Sequence, residues 1–247
     1  MRNCVIHHLE TLDFSGNEAL NSICSNLSFV GRDMKKFAIT SCTQNEGKSS
    51  MSMHIMANLA NRGKRVVLVD SDLRKSVMMS HFGITIDGDE VIGLAHHLAG
   101  YNTLDEIIYR TDIPGAFYIP TGRDIMNPLP LLDTKYFSSM LDELAARFDL
   151  VLVDTPPIGV VIDAAVVAKA CDGAVLVIEY AKRRKAEIAD AVQKIEQSGC
   201  PVIGCIINRV SLKTFSERNY YKNHYYAYSK YGDTYGYSKQ ETGRDNE

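Results

Sequence analysis

From Lys36 onward the chain alternates short runs of β-branched residues with longer segments whose apolar positions recur at helical spacing, the pattern of a parallel sheet flanked by helices. Five strands are predicted at Phe37 to Thr40, Arg65 to Val69, Leu150 to Val153, Ala174 to Glu179 and Val202 to Ile207, with a weaker sixth at Phe117 to Ile119. Val66-Val67-Leu68-Val69 and Leu150-Val151-Leu152-Val153 are apolar at every position, as central strands covered on both faces must be. Amphipathic helices are predicted over Ser50 to Asn61, Leu132 to Arg147, Asp163 to Ala170 and Lys185 to Gln197, with Gly63, Gly173 and Gly199 at the helix-to-strand returns. Met1 to Phe29 reads as a loop followed by a helix near Asn17 to Leu27. Past Ser211 aliphatic residues almost vanish, so that segment cannot bury enough surface to offset its ordering entropy, and a flexible tail is expected. The predicted organisation is an N-terminal loop and helix over 1–30, an α/β domain over 31–210 and a tail over 211–247.

Composition narrows the function classes. The 247 residues carry 27 Lys plus Arg against 30 Asp plus Glu, a net charge of -3, so no general attraction to nucleic acid is expected. No apolar stretch approaches the roughly 20 residues of a membrane span, and the N-terminus lacks the apolar core of a signal peptide, which predicts a cytoplasmic chain. The six cysteines show no CxxC pairing and the seven histidines no metal-ligand spacing, so the cysteines read as small packing residues.

The chemistry concentrates at three strand ends. After the first strand come Ser41-Cys42-Thr43-Gln44-Asn45-Glu46-Gly47-Lys48-Ser49-Ser50, opening into a helix. A phosphate-binding loop needs backbone N–H groups curled round the β-phosphate, a helix N-terminus aimed at the charge, a lysine for the β/γ oxygens and a hydroxyl for Mg²⁺. Gly47, Lys48 and Ser49 supply the end of that list, although Cys42 stands where the strict pattern has its first glycine. The second strand ends in Asp70-Ser71-Asp72-Leu73-Arg74, at the sheet edge where open α/β folds bind ligands. A third ends in Asp154-Thr155-Pro156-Pro157, and an aspartate closing an apolar strand beside a P-loop is the Walker B arrangement. Together these predict a P-loop NTPase fold. Asn208, ending the fifth strand, is an adenine-binding candidate through its amide. Lys182-Arg183-Arg184-Lys185 reads as a solvated helix start, with contact to nucleotide or an acidic partner as the sharper alternative.

Eight of the 13 tyrosines lie in the tail: Tyr220, Tyr221, Tyr225, Tyr226, Tyr228, Tyr231, Tyr235 and Tyr237. The Gly47-Lys48-Ser49 loop, Asp70-x-Asp72-Leu73-Arg74, Asp154-x-Pro156-Pro157 and this cluster together resemble the bacterial tyrosine kinases of capsule and exopolysaccharide operons, whose motifs are called Walker A, A′ and B. The resemblance extends through His81-Phe82-Gly83, Gly93-Leu94, Leu98-Ala99-Gly100, Pro120-Thr121-Gly122, Asn127-Pro128 and Asp172-Gly173. It implies ATP and Mg²⁺ as cofactors, with Thr43, Gln44, Asn45, Glu46, Gly47, Lys48, Ser49 and Ser50 round the nucleotide. Lys48 would neutralise the β/γ-phosphates, Ser49, Asp72 and Asp154 would form the metal shell, and Asp70 is the base candidate. The eight tail tyrosines would be phosphoacceptors, modified in trans through self-association. The resemblance also implies a separate membrane adaptor of the polysaccharide chain-length regulator type, recruitment to the inner face of the membrane, and a cognate phosphatase.

Three departures stand out. The family commonly has a Glu-x-x-Arg-x-x-Arg helix at its subunit interface; here the positions read Glu18, Asn21 and Cys24, which weakens the expectation of a ring oligomer. Gln44 and Ser76 replace usual prolines, and neither is expected to touch the chemistry. Two competing readings stay open: a ParA/MinD-like switch ATPase, whose signature lysine would stand where Thr43 is, and a nucleotide-binding adaptor without catalysis.

Overall fold

The computed structural model describes residues 2–31, 33–88 and 90–210, and the tyrosine cluster lies outside them. The chain runs β1 (Arg2–Val5), α1 (Phe14–Phe29), β2 (Lys36–Ser41), α2 (Lys48–Asn61), β3 (Val66–Asp70), α3 (Met78–His81), β4 (Thr85–Ile86), α4 (Leu94–Leu98) and α5 (Leu104–Ile107). It continues through β5 (Tyr109–Arg110), β6 (Ala116–Ile119), α6 (Leu129–Leu132), α7 (Lys135–Arg147), β7 (Leu150–Asp154), α8 (Asp163–Lys169), β8 (Gly173–Glu179), α9 (Lys185–Gln197) and β9 (Val202–Asn208).

The strands join in the order β4-β1-β5-β6-β3-β7-β2-β8-β9. The stretch from β6 to β9 is parallel throughout, and antiparallel pairing is confined to β1 with β4 and β5 with β6. Strand alternation sorts the central side chains between two apolar layers. Val67, Val69, Val151 and Val153 pack with Phe137, Leu141 and Leu144 of α7 and Val167 of α8. Val66, Leu68, Leu150 and Leu152 pack on the other face with Met53, Ile55, Met56 and Leu59 of α2 and Leu20, Cys24 and Leu27 of α1. Because side chains alternate with period two, Asp70 and Asp154, each two residues past a leucine of the second set, emerge on the α2 face. Parallel pairing sets them side by side, Asp70 opposite Asp154.

The N-terminus departs from the sequence expectation: Arg2–Val5 is a strand, parallel to β5 and antiparallel to β4, rather than loop. Four residues with charged and polar neighbours carry too little periodicity to read, and their pairing is supplied by distant segments. The helix predicted from Leu132 to Arg147 is divided, because Thr134 caps α7 by accepting from the Phe137 N–H. In α1, Cys24 is fully buried and the Asn21 side-chain oxygen Oδ1 accepts from Asn58 Nδ2 (3.0 Å) and Arg62 Nη2 (2.8 Å) of α2 and its C-cap. Both positions where the resembling kinases place arginines therefore face the helix-to-helix contact within this chain. Among the described residues no helix is long and apolar enough to cross a membrane.

Candidate active site

The loop between β2 and α2 turns through two left-handed residues, Asn45 at φ 64° and Gly47 at φ 89°. Asparagine tolerates that region better than most side chains, and at Gly47 a Cβ would stand 2.1 Å from Asn208 Nδ2, so only glycine fits. Gly159 on the loop after β7 is equally constrained, since a Cβ there would meet the Cys42 carbonyl oxygen at 2.2 Å. The residue replacing the usual first loop glycine is thus packed under the Walker B loop, buried at 2% exposure.

Lys48 and Ser49 start α2 directly over the two strand-end aspartates. Ser49 Oγ donates to Asp154 Oδ2 at 2.7 Å, and Ser52, one turn on, donates to Asp154 Oδ1 at 2.9 Å. Lys48 Nζ lies 3.4 Å from Asp154 Oδ2 and 3.8 Å from Asp72 Oδ2. Burial works against the ammonium, but Asp154, Asp72 and Asp70 together outweigh it and hold the Lys48 pKa above the ordinary lysine value. Asp72 is pushed up by burial, a shift that Lys48 and the Lys75 N–H oppose. The three acids and the lysine thus form one cluster with an excess of negative charge, only part of which Lys48 offsets.

Asp70 is 1% exposed. Burial and the neighbouring Asp154 carboxylate push its pKa up to about 7, against the Ser76 hydrogen bond and Lys48, which lower it. Its Oδ2 accepts from the Ser76 hydroxyl and from Tyr118 Oη at 3.3 Å, and its Oδ1 from the Asp72 N–H at 3.3 Å. Tyr118 reaches it because β6 pairs with β3 in the register Tyr118 opposite Leu68, on the α2 face. Ser76, expected to stand apart from the chemistry, places its hydroxyl on the carboxylate of the base candidate. Register and loop path decide both contacts, and neither is visible in a linear sequence.

Arg74 of the A′ segment forks onto Asp163 at the start of α8, Nε to Oδ2 at 2.5 Å and Nη2 to Oδ1 at 3.1 Å, while Nη1 donates to the Met126 carbonyl at 2.9 Å. The pair ties the loop carrying Asp72 to the segment following Asp154. The basic run is also not plain surface. Arg183 Nε donates to Glu46 Oε1 at 2.8 Å, and Glu46 is fully buried, so the reading of a solvated helix start gives way there to an internal ion pair. Asn208 Nδ2 donates to the Glu46 carbonyl at 2.9 Å, which places this adenine candidate against the phosphate loop.

The donor set of Ser49, Asp72 and Asp154 is all oxygen, which suits Mg²⁺. Among the described residues no three His, Cys, Asp or Glu side chains are grouped to hold a metal by themselves.

A protein-family profile described as AAA domain matches residues 34–199. The tyrosine-protein kinase CpsD of Streptococcus agalactiae is 39% identical over 194 residues, covering 78% of this chain and 82% of that one. The kinase domain of Escherichia coli tyrosine kinase ETK superposes with a TM-score of 0.71 at 28% identity, covering 78% of this chain and 77% of that one. The septum site-determining protein MinD of Pyrococcus horikoshii, complexed with Mg-ADP, superposes with a TM-score of 0.60 at 23% identity, covering 72% and 71%, a likeness of fold alone. A P-loop NTPase fold of this kind implies nucleotide and Mg²⁺ binding. By its strand-end acids, its loop and these relatives, the chain belongs to the bacterial tyrosine-protein kinases.

Proposed function

We propose that the chain transfers the γ-phosphoryl group of Mg-ATP to tyrosines of its own C-terminal cluster, Tyr220 to Tyr237, in another copy, and so regulates capsular or exopolysaccharide synthesis. The observation that carries this reading is the convergence of Lys48, Ser49, Asp72 and Asp154 at one strand edge beside the buried Asp70. Lys48 and the loop N–H groups bind and orient the β/γ-phosphates, and Ser49, Asp72 and Asp154 hold the metal, which supplies charge neutralisation on the phosphate oxygens. A tyrosine hydroxyl, with a pKa near ~10, is protonated at neutral pH, and Asp70 is the group that takes its proton as transfer proceeds. The transition state is loose, so positioning and charge neutralisation supply most of the rate, and Lys48 contributes more than Asp70. A membrane adaptor of the chain-length regulator type recruits and activates the chain at the inner membrane face, and a cognate phosphatase resets the cluster.

The test mixes two full-length variants with Mg-ATP. One carries Lys48→Met and an intact cluster; the other carries an intact site and phenylalanine at all eight tail tyrosines. Mass spectrometry is expected to find phosphotyrosine on the Lys48→Met copy. A wild-type chain that never acquires phosphotyrosine, with or without a membrane adaptor present, overturns the reading.

A further inference from the structure

The residues just ahead of Lys48 are held from behind by two elements that the family motifs do not include. Glu46 sits between the left-handed Asn45 and Gly47, and its carboxylate is wholly committed. Oε2 accepts from the Thr43 N–H at 2.8 Å, while Oε1 accepts from Arg183 Nε at 2.8 Å and lies 3.5 Å from the Glu179 N–H. The Glu46 carbonyl takes Asn208 Nδ2 from the end of β9. Arg183 is itself fixed: it follows Ala181, a non-glycine residue at φ 56°, and its Nη1 stands 3.7 Å from Glu187 Oε1 on the first turn of α9.

We infer that Arg183 is a positioning residue for nucleotide phosphates, acting through Glu46; this rests on the nucleotide-binding reading above. Left-handed non-glycine residues persist only where the surroundings over-determine them. The Glu46 carboxylate spans Asn45 by gripping Thr43, and so fixes the curl that aims the loop N–H groups at a phosphate. A fully buried carboxylate is tolerated only with a cation beside it. Without Arg183, the buried Glu46 carboxylate is left without its cation, and the loop loses its anchor. Affinity for the phosphate end of the nucleotide falls more than that for the base and ribose.

The test measures binding of Mg-ADP and of AMP to the full-length chain by calorimetry, AMP serving as a ligand that lacks the β-phosphate. Arg183→Met is expected to weaken Mg-ADP by about 10-fold or more while moving AMP by less than about 3-fold, so the preference for ADP shrinks. Arg183→Lys, which keeps the charge without the planar fork, is expected to recover part of that preference. Arg183→Met combined with Glu46→Gln is expected to recover part as well, since no buried charge is left alone. General destabilisation cannot move the ratio in this way. An unchanged ADP preference in Arg183→Met, or equal losses for both nucleotides, overturns the inference while leaving the kinase reading intact. If Arg183→Met does not fold, the ratio in Arg183→Lys decides by the same criterion. A wild-type chain that binds neither nucleotide overturns the kinase reading and this inference together.

Discussion

The hydroxyl of Ser76 donates to Oδ2 of Asp70, from a position where the resembling kinases usually carry proline. A proline there would have no side-chain donor, so the contact that steers the base candidate in this chain depends on the serine hydroxyl. Hydrogen bonds to a charged acceptor contribute about 1.5–3 kcal/mol. Ser76→Ala is therefore expected to lower kcat for tyrosine phosphorylation by about 10-fold with the KM for ATP unchanged, and Ser76→Thr to restore most of the loss. Because the bond favours the carboxylate, its removal moves the Asp70 pKa further up and shifts the acidic limb of the pH–rate profile to higher pH. Rates of both variants between pH 6 and 9 check both claims, with those pH values spanning roughly the range where the group titrates.

The same carboxylate makes stability depend on pH in the nucleotide-free chain. Its folded pKa of about 7 lies above the ordinary aspartate value, so the folded state binds the proton more tightly than the unfolded state. The stabilising contribution is fully present below the unfolded value and is lost as pH rises through about 7. Asp70→Asn removes this dependence. Denaturant titrations are expected to show the variant gaining a few kcal/mol on the wild type between acid and neutral pH, the difference levelling off above it. Parallel stability curves for the two proteins would contradict the assignment.

How much of this could be read from the sequence follows from the range of the interactions. The apolar runs at Val66–Val69 and Val151–Val153 announce central strands, because burial on both faces leaves no polar position, and the strand-end acids follow from where those runs stop. The approach of Lys48, Ser49, Asp72 and Asp154 was legible for the same reason, since α/β topology brings strand ends to one edge. Tyr118 and Arg183 were not legible. Tyr118 meets Asp70 through the β6 register, and Arg183 meets Glu46 across 137 residues of chain, and neither distance leaves a local signature. The strand at Arg2–Val5 escaped notice because two edge neighbours, not its own pattern, define it.

Lys48 is placed to neutralise phosphates during transfer and, before nucleotide arrives, to offset part of the charge of three acids. Lys48→Met is expected to reduce phosphotyrosine formation by about 10²–10³-fold, the scale for removing one preorganised donor from developing charge. It is also expected to destabilise the nucleotide-free chain at neutral pH and far less in acid. Without the ammonium, Asp70 and Asp72 lose the cation that lowers their pKa values, and protonation becomes the only relief from their repulsion. Phosphotyrosine mass spectrometry and melting temperatures near pH 5 and pH 8 separate the two effects, pH 5 lying roughly two units below the Asp70 value. Equal destabilisation at both pH values would show that Lys48 is held for packing rather than charge.

Arg74 and Asp163 give the last test, because one partner is buried and the other is not. Asp163 is 1% exposed, whereas the Arg74 side chain is one-third exposed. Removing Arg74 leaves a buried carboxylate without its cation, while removing Asp163 leaves a guanidinium that can turn to water and keep the Met126 carbonyl. Arg74→Ala is accordingly expected to cost more than Asp163→Ala, about 2–3 kcal/mol against 1–2, with partial exposure keeping both below the fully buried range. The double variant is expected to cost less than the sum, since it orphans neither charge. Arg74→Lys cannot supply the fork and is expected to behave closer to alanine than to arginine. The two side chains connect the Asp72 loop to the segment after Asp154, so the loss also reaches the metal site. Apparent Mg²⁺ affinity in the kinase assay is expected to weaken in Arg74→Ala and Arg74→Lys alike, and an unchanged Mg²⁺ dependence in both would reduce the pair to a stabilising contact alone.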